Sequence, residues 1–220
     1  MQNLQKLEDM KEAIGGWGEV AKPRLDRILK YAGNTILDVG CGNGGYVCEL
    51  SKKGYEIYGF ELLLQPSNQE VSQRIIKGSV TDLSFKDNSF DTILLFNVLE
   101  HVNDKKAIKE IYRICRKNVI FSVPRQKENE LEYYGITYHP YIDLSHLRYY
   151  TLDNLKSTFT DAGFKMDQIF YTYPINPLGL FLRTLGFPRW FNARAGAVIG
   201  KLPFTKKFYM NIEGIATKVK

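Results

Sequence analysis

The chain has 220 residues, of which 44% are hydrophobic and 25% charged, with a formal net charge of +6 and three cysteines. That length suits a single domain, residues 1–220, with an addition, and the apolar fraction is enough for a globular core. An odd cysteine count without a Cys-x-x-Cys pair argues against a disulfide framework, and no metal-ligand spacing appears, so no metal is expected; Cys41, Cys48 and Cys115 read as reduced, packed thiols of a cytosolic protein.

Along the chain, residues 2–14 read as a short helix within an N-terminal helical cover, residues 1–32, and their charges (Lys6, Glu8, Asp9, Lys11, Glu12) do not fit a secretory signal. Gly15-Gly16-Trp17-Gly18 reads as a flexible joint, and Pro23 suits the first turn of a helix reaching Tyr31. Residues 35–40 are β-branched and apolar, as in a strand buried on both faces. They lead through Asp38 into Gly40-Cys41-Gly42-Asn43-Gly44-Gly45, then into helical spacing over 46–53 that ends at Gly54. Strands are expected at 55–61, 75–80, 90–96 and 118–123, with a helix capped by Asn103 or Asp104 and running to Arg116. A helix over 151–162 stops before Gly163, and strands near 165–173 and 208–219 complete the sheet. Alternating strands and helices predict an α/β, doubly wound, mostly parallel sheet.

Strand, glycine turn and helix together propose a nucleotide-like ligand. Gly40 and Gly42 let backbone approach it, and free N–H groups at the helix start face it. Gly40, Gly42 and Gly45 also satisfy the dinucleotide pattern G-x-G-x-x-G, so this stretch alone leaves two ligands open. Glu61, at the tip of the second strand, can accept both ribose hydroxyls of an adenosine in either case. Asp38 separates the two: a carboxylate there repels a pyrophosphate and favours a ligand carrying an ammonium and a sulfonium. Asp38, Glu61, Asp82 and Asn97 all fall at carboxyl ends of strands, where ligands of such sheets bind. Asp82 also reads as a turn-forming residue, and Asn97 as a strand-end cap.

Asp38-Val-Gly-Cys-Gly-Asn-Gly, Glu61, Gly78-Ser-Val-Thr-Asp82, Phe90-Asp91 and Asn97-Val-Leu-Glu-His101-Val resemble the successive motifs of class I S-adenosylmethionine-dependent methyltransferases, in the branch of UbiG/UbiE-type quinone methyltransferases. His146-Leu-Arg-Tyr-Tyr-Thr151, Leu155 and Asp161-Ala-Gly-Phe164 are similar to that branch's later part, so the resemblance covers roughly residues 15 to 173. It implies a Rossmann-like sheet of seven strands with the last antiparallel, and S-adenosyl-L-methionine as cofactor. It also implies contacts from Asp38, Gly40, Cys41 and Gly42 to the methionine part, Glu61 on the ribose, Asp82 on the adenine and Asn97 near the reacting methyl. Cys41 is small enough for close packing inside the turn and is not expected to be catalytic.

Methyl transfer to a hydroxyl is helped by a base. His101 follows the fourth strand, His146 follows Asp143 by three residues, so that a carboxylate could orient it, and His139 precedes Pro140. Each could equally brace a loop. Tyrosines crowd residues 132–141 and suggest an aromatic or amphipathic pocket for a small-molecule substrate. The positive charge is concentrated between Gln168 and Ile212, which hold six basic residues and no acid. There, residues 174–208 form an apolar, basic insertion between the last two strands. It reads as a lid over the substrate, a peripheral contact with an anionic membrane, or a dimer contact. Nucleic acid is not expected. The acceptor expected is a hydroxyl on a lipid-, quinone- or glycan-precursor-like molecule. The rivals are a nicotinamide-dependent oxidoreductase and a methyltransferase-like scaffold without turnover.

Overall fold

A computed structural model describes residues 20–63, 69–126, 143–175 and 208–219, together with residues 185, 186, 188, 191 and 194. The expected helix over 2–14, the joint at 15–18, the tyrosine-rich stretch with His139 and nearly all of the 174–208 insertion lie outside the described residues. The elements, in order, are α1 (Lys22–Tyr31), β1 (Thr35–Val39), α2 (Gly45–Lys52), β2 (Glu56–Glu61), α3 (Gln69–Ser72), β3 (Ile75–Lys77), β4 (Phe90–Phe96), a 3₁₀ turn (Leu99–His101), α4 (Asp104–Ile114), β5 (Cys115–Pro124), α5 (Leu152–Asp161), β6 (Phe164–Ile175) and β7 (Phe208–Lys218).

The strands form one seven-stranded sheet in the order β3-β2-β1-β4-β5-β7-β6. β1 to β5 pair in parallel, whereas β7 lies antiparallel to both β5 and β6, as the resemblance implies. The side-chain period of two distributes the core over both faces. On β4, Ile93 and Leu95 pack with Ile108 and Ile111 of α4 and Leu155 and Phe159 of α5. Leu94, between them, points the other way, to Ile28 of α1 and Val47 and Leu50 of α2.

Local chemistry sets most element ends. The Asn103 side chain accepts a hydrogen bond from the Lys106 N–H at 3.1 Å and caps α4, and Thr151 and Asn154 form a reciprocal capping box on α5. Two boundaries differ from expectation. The third strand stops at Lys77, because Gly78 lies against the Phe60 ring and the chain then turns, the Asp82 N–H donating to the Ser79 carbonyl at 3.0 Å. The helix expected to reach Arg116 ends at Ile114. Cys115 already pairs with Phe90, and Arg116 and Lys117 each lie 3.3 Å from the Asp91 carboxylate, so strand pairing and ion pairing override helical continuation. Among the described residues no helix is long and apolar enough to cross a membrane.

Phe159 is fully buried and stacks on Phe121 with ring centroids 4.4 Å apart. Phe159→Ala is expected to cost about 3–5 kcal/mol of stability, read from urea unfolding midpoints at unchanged slope.

Candidate active site

Strand order reverses between β1 and β4: β1 is followed outward by β2 and β3, β4 by β5. Chain leaving the two central strands therefore departs in opposite directions and opens a crevice at their carboxyl ends. A cavity of about 230 Å³ lies there, with Gly40, Glu61, Gly78, Asn97, His101 and Ser145 in its wall.

The floor is the glycine turn. Gly40 has φ +75° and Gly42 φ +57°; a Cβ on Gly40 would sit 2.3 Å from Val98 Cγ2, whereas one on Gly42 would meet open space. Glycine at 40 is thus demanded by packing as well as by conformation, and at 42 by conformation alone. The Gly42 N–H donates to Glu61 Oε2 at 2.9 Å, and the Leu62 and Leu63 N–H groups donate to Oε1 at 2.8 and 3.2 Å. Three backbone donors hold the Glu61 carboxylate at the cavity edge.

Asp38 is 2% exposed, and its Oδ2 finds no hydrogen-bond partner. Burial, reinforced by the negative charge of Glu61 and opposed by Arg24, pushes its carboxyl up to about 7. A buried carboxylate oxygen left open beside a glycine turn fits a ligand ammonium, which would supply the missing charge and hydrogen bond.

Asn97 ends β4 with φ +56°, a left-handed conformation that asparagine tolerates better than most residues. Arg24 of α1 donates to Ser122 Oγ at 3.1 Å and to Glu213 Oε1 at 2.7 Å, and the Ser122 hydroxyl in turn donates to Asn97 Oδ1. This chain of bonds holds the Asn97 side chain by its carbonyl oxygen at the cavity wall.

The opposite wall is built on the 3₁₀ turn. Arg148 Nη1 donates to the carbonyls of Leu99 and Val102, the Leu147 N–H donates to the Glu100 carbonyl at 2.7 Å, and the Tyr150 hydroxyl lies 3.3 Å from the Leu99 carbonyl. Residues 147–150 thereby clamp the turn. His101 Nδ1 lies 3.0 Å from Ser145 Oγ, whose hydroxyl donates to Asp143 Oδ1 at 2.5 Å. His146 Nε2 lies 3.5 Å from Asp143 Oδ2, and its ring sits 4.7 Å from that of His101. Burial raises the Asp143 carboxyl, but the two Ser145 donors and the neighbouring histidines outweigh it and hold the group below the usual carboxylate range. Glu100 is fully buried with no hydrogen-bond partner within bonding geometry, and burial, opposed by its own backbone N–H and reinforced by Asp143, pushes its carboxyl up to about 8.

A protein-family model described as a methyltransferase domain matches residues 37–123. Residues 37–123, less than half of the chain, are thus similar to a methyltransferase domain. The whole described fold is similar to a SAM-dependent methyltransferase of Archaeoglobus fulgidus, at 18% identity and a TM-score of 0.66, over 97% of this chain and 99% of that one. In sequence the chain is 32% identical to an uncharacterized protein of Methanocaldococcus jannaschii over 63% of this chain and 62% of that protein. It is 30% identical to norajmaline N-methyltransferase of Rauvolfia serpentina over 46% of this chain and 42% of that enzyme. The chain spans less than two thirds of the length of these curated relatives.

Of the residues expected to contact the cofactor, Gly40, Glu61 and Asn97 line the cavity, and Asp38 lies buried directly beneath the turn. Gly42 and Asp143 adjoin that wall without lining it, and Cys41, Asp82 and His146 stand elsewhere. The Cys41 thiol packs into the core, where a Cβ on Gly59 would meet its sulfur at 2.6 Å; burial and the nearby carboxylates of Asp38 and Glu61 push it up, which makes it a spacer with no nucleophilic character. The Asp82 carboxylate is exposed on the turn after Gly78, and Gly78, Ser79 and Val80 form that wall instead. His146 lies behind His101 and outside the cavity wall, so of the described histidines only His101 faces the cavity. Glu100 and Arg24 were missed in the sequence. An acid within Val98-Leu99-Glu100-His101-Val102 was a readable signal, whereas an arginine contacting residues 98 and 189 positions away was not.

A carboxyl whose folded pKa exceeds its unfolded value, 3.8 for Asp38 and 4.5 for Glu100, contributes stability at acid pH that is lost as pH rises through the folded pKa. Asp38 and Glu100 both act in this sense. The unfolding temperature of the ligand-free domain is expected to fall between about pH 5 and 8.5, and Asp38→Asn to flatten part of that fall while weakening S-adenosylmethionine binding at least about tenfold. Calorimetry across that range checks both, and a stability profile rising toward pH 8.5 would contradict it.

Proposed function

We propose that this protein transfers the methyl group of S-adenosylmethionine to a hydroxyl of a small molecule, of lipid-, quinone- or glycan-precursor-like character. The observation that carries this reading is the pairing, across one cavity, of a donor side made by Asp38, Gly40 and Glu61 with a cavity-facing histidine, His101, held through Ser145 to Asp143. The sulfonium already activates the methyl carbon. Bringing donor and acceptor into line supplies most of the acceleration, an effective molarity of up to ~10⁵–10⁸ M, and activation of the hydroxyl adds ~10²–10⁴-fold. An amine attacks as its free base and needs less assistance, which is why an oriented histidine favours an oxygen acceptor. In this scheme Asn97 borders the transferring methyl and His101 activates the acceptor, while Asp143 and His146 position His101. The 174–208 insertion, apolar and basic, is the segment proposed to meet an amphipathic substrate, a membrane surface or a second copy.

The name of norajmaline N-methyltransferase favours a nitrogen acceptor as the second reading. Methyl transfer from labelled S-adenosylmethionine to fractions of a metabolite extract, with the product bond identified by mass spectrometry, decides between oxygen and nitrogen. Binding of S-adenosylhomocysteine without any labelled product would mark a scaffold without turnover, and binding of NADH in its place an oxidoreductase. His101→Ala is expected to lower kcat by about 10²-fold or more, with the KM for S-adenosylmethionine changed by less than about threefold; an unchanged kcat would remove His101 from the chemistry.

A further inference from the structure

The donor atoms of Glu100, His101 and His146 all lie within 4.8 Å of one another. Two come from the 3₁₀ turn and the third from the segment that clamps it, 45 residues on. We propose that these three side chains form a binding site for one divalent transition-metal ion of the zinc type, beside the acceptor end of the cavity.

Glu100 is the primary reason. It is 0% exposed, and neither of its oxygens has a hydrogen-bond partner. A carboxylate in that position costs several kcal/mol unless a cation or donors meet it. Asp143 adds a second acid nearby, and among the described residues the Arg148 guanidinium is directed at the carbonyls of Leu99 and Val102 and at Asp104. The cluster therefore has an excess of negative charge and two imidazoles but no cation of its own among these contacts.

The surroundings are those of a metal site. Ligating histidines are held by a carboxylate or hydroxyl on the ring nitrogen turned away from the ion. His146 Nε2 faces Asp143 at 3.5 Å and His101 Nδ1 faces Ser145 Oγ at 3.0 Å, which assigns His146 Nδ1 and His101 Nε2 to the ion. Metal–ligand bonds of about 2.0–2.2 Å require the three donors to close by roughly an ångström. Two imidazoles and one carboxylate select zinc or a neighbouring first-row ion over magnesium or calcium, which require oxygen donors.

Three protein ligands leave a fourth position, and the cavity wall at His101 and Ser145 is where it opens. The role of the ion there rests on the methyl-transfer reading, with His101 acting on the acceptor through the ion and not as a direct base, since its Nε2 is then a ligand. A hydroxyl coordinated at the fourth position loses its proton more readily, the proton passing to water at the cavity mouth. The oxygen then forms a bond to the methyl carbon as the carbon–sulfur bond breaks, its electron pair returning to sulfur to give S-adenosylhomocysteine.

The test uses the full chain, stripped with a chelator and titrated with Zn²⁺ against a chromophoric competitor, then with Co²⁺ for its visible absorption. One equivalent of Zn²⁺ is expected to bind with a Kd at or below about 1 μM, with cobalt bands of a four- or five-coordinate ion. Glu100→Gln and His146→Gln should each weaken Zn²⁺ binding by about tenfold or more, and Asp143→Asn by about 10–100-fold. S-adenosylhomocysteine affinity, measured in parallel, should move by less than about threefold and reports that each variant is folded. Absence of stoichiometric Zn²⁺ binding in unsubstituted protein that binds S-adenosylhomocysteine overturns the proposal. So does undiminished binding in Glu100→Gln. Loss of S-adenosylhomocysteine binding by the unsubstituted chain, with zinc still bound, would overturn the methyl-donor reading and leave the metal site standing.

Discussion

Reversal of strand order between β1 and β4 is the constraint on which the site depends. Parallel neighbours joined by helices must send their connections to one face or the other, and where the direction of winding changes no chain covers the strand ends. Everything chemical gathers at that gap: Asp38 and the glycine turn leave β1, Asn97 leaves β4, and Glu61 arrives from β2, all at the carboxyl edge. The hydrophobic faces above and below, set by the alternation of residues such as Ile93, Leu94 and Leu95, hold the strand ends rigid enough to position backbone N–H groups.

Polar groups are then placed where burial makes them expensive. Asp38 and Glu100 sit in the core with carboxylate oxygens that nothing in the described protein satisfies, one on each side of the cavity. Among the described residues other acids meet cations: Asp91 Oδ1, also without a hydrogen bond, lies 3.3 Å from both Arg116 and Lys117. Glu213 lies against Arg24 and Arg27, and Glu110 against Arg113 and the Leu83 N–H. The contrast between satisfied structural acids and open acids at the cavity identifies the latter as groups whose partner arrives from outside.

The two walls differ in how they are held. The donor wall is local: glycine dihedrals and backbone donors close it within residues 38–63, with Arg24 reaching in from α1 through Ser122 to set the Asn97 amide. The acceptor wall is assembled across more than forty residues, by Arg148, Leu147 and Tyr150 gripping the turn that carries Glu100 and His101. A class of donor can thus be held constant while the acceptor side varies with the segment that packs onto it.

The same division runs between features legible along the chain and features that packing alone sets. Strand and helix identity, the glycine turn, Asp38, Glu61 and Asn97 were readable because they depend on short-range rules: β-branched runs, capping residues, φ > 0 glycines, and acids at strand tips. The class of cofactor followed from them. The end of α4 at Ile114 was not readable, because pairing of Cys115 with Phe90 and the Asp91 ion pairs decided it. Nor was the exposure of Asp82, the withdrawal of His146 behind His101, or the gathering of Glu100, His101 and His146, residues whose distance in the chain conceals their contact. The physical reason is the range of the interactions: backbone conformation is set by neighbours in sequence, whereas the surroundings of a buried charge are set by whichever distant segments the packing of the sheet brings against it.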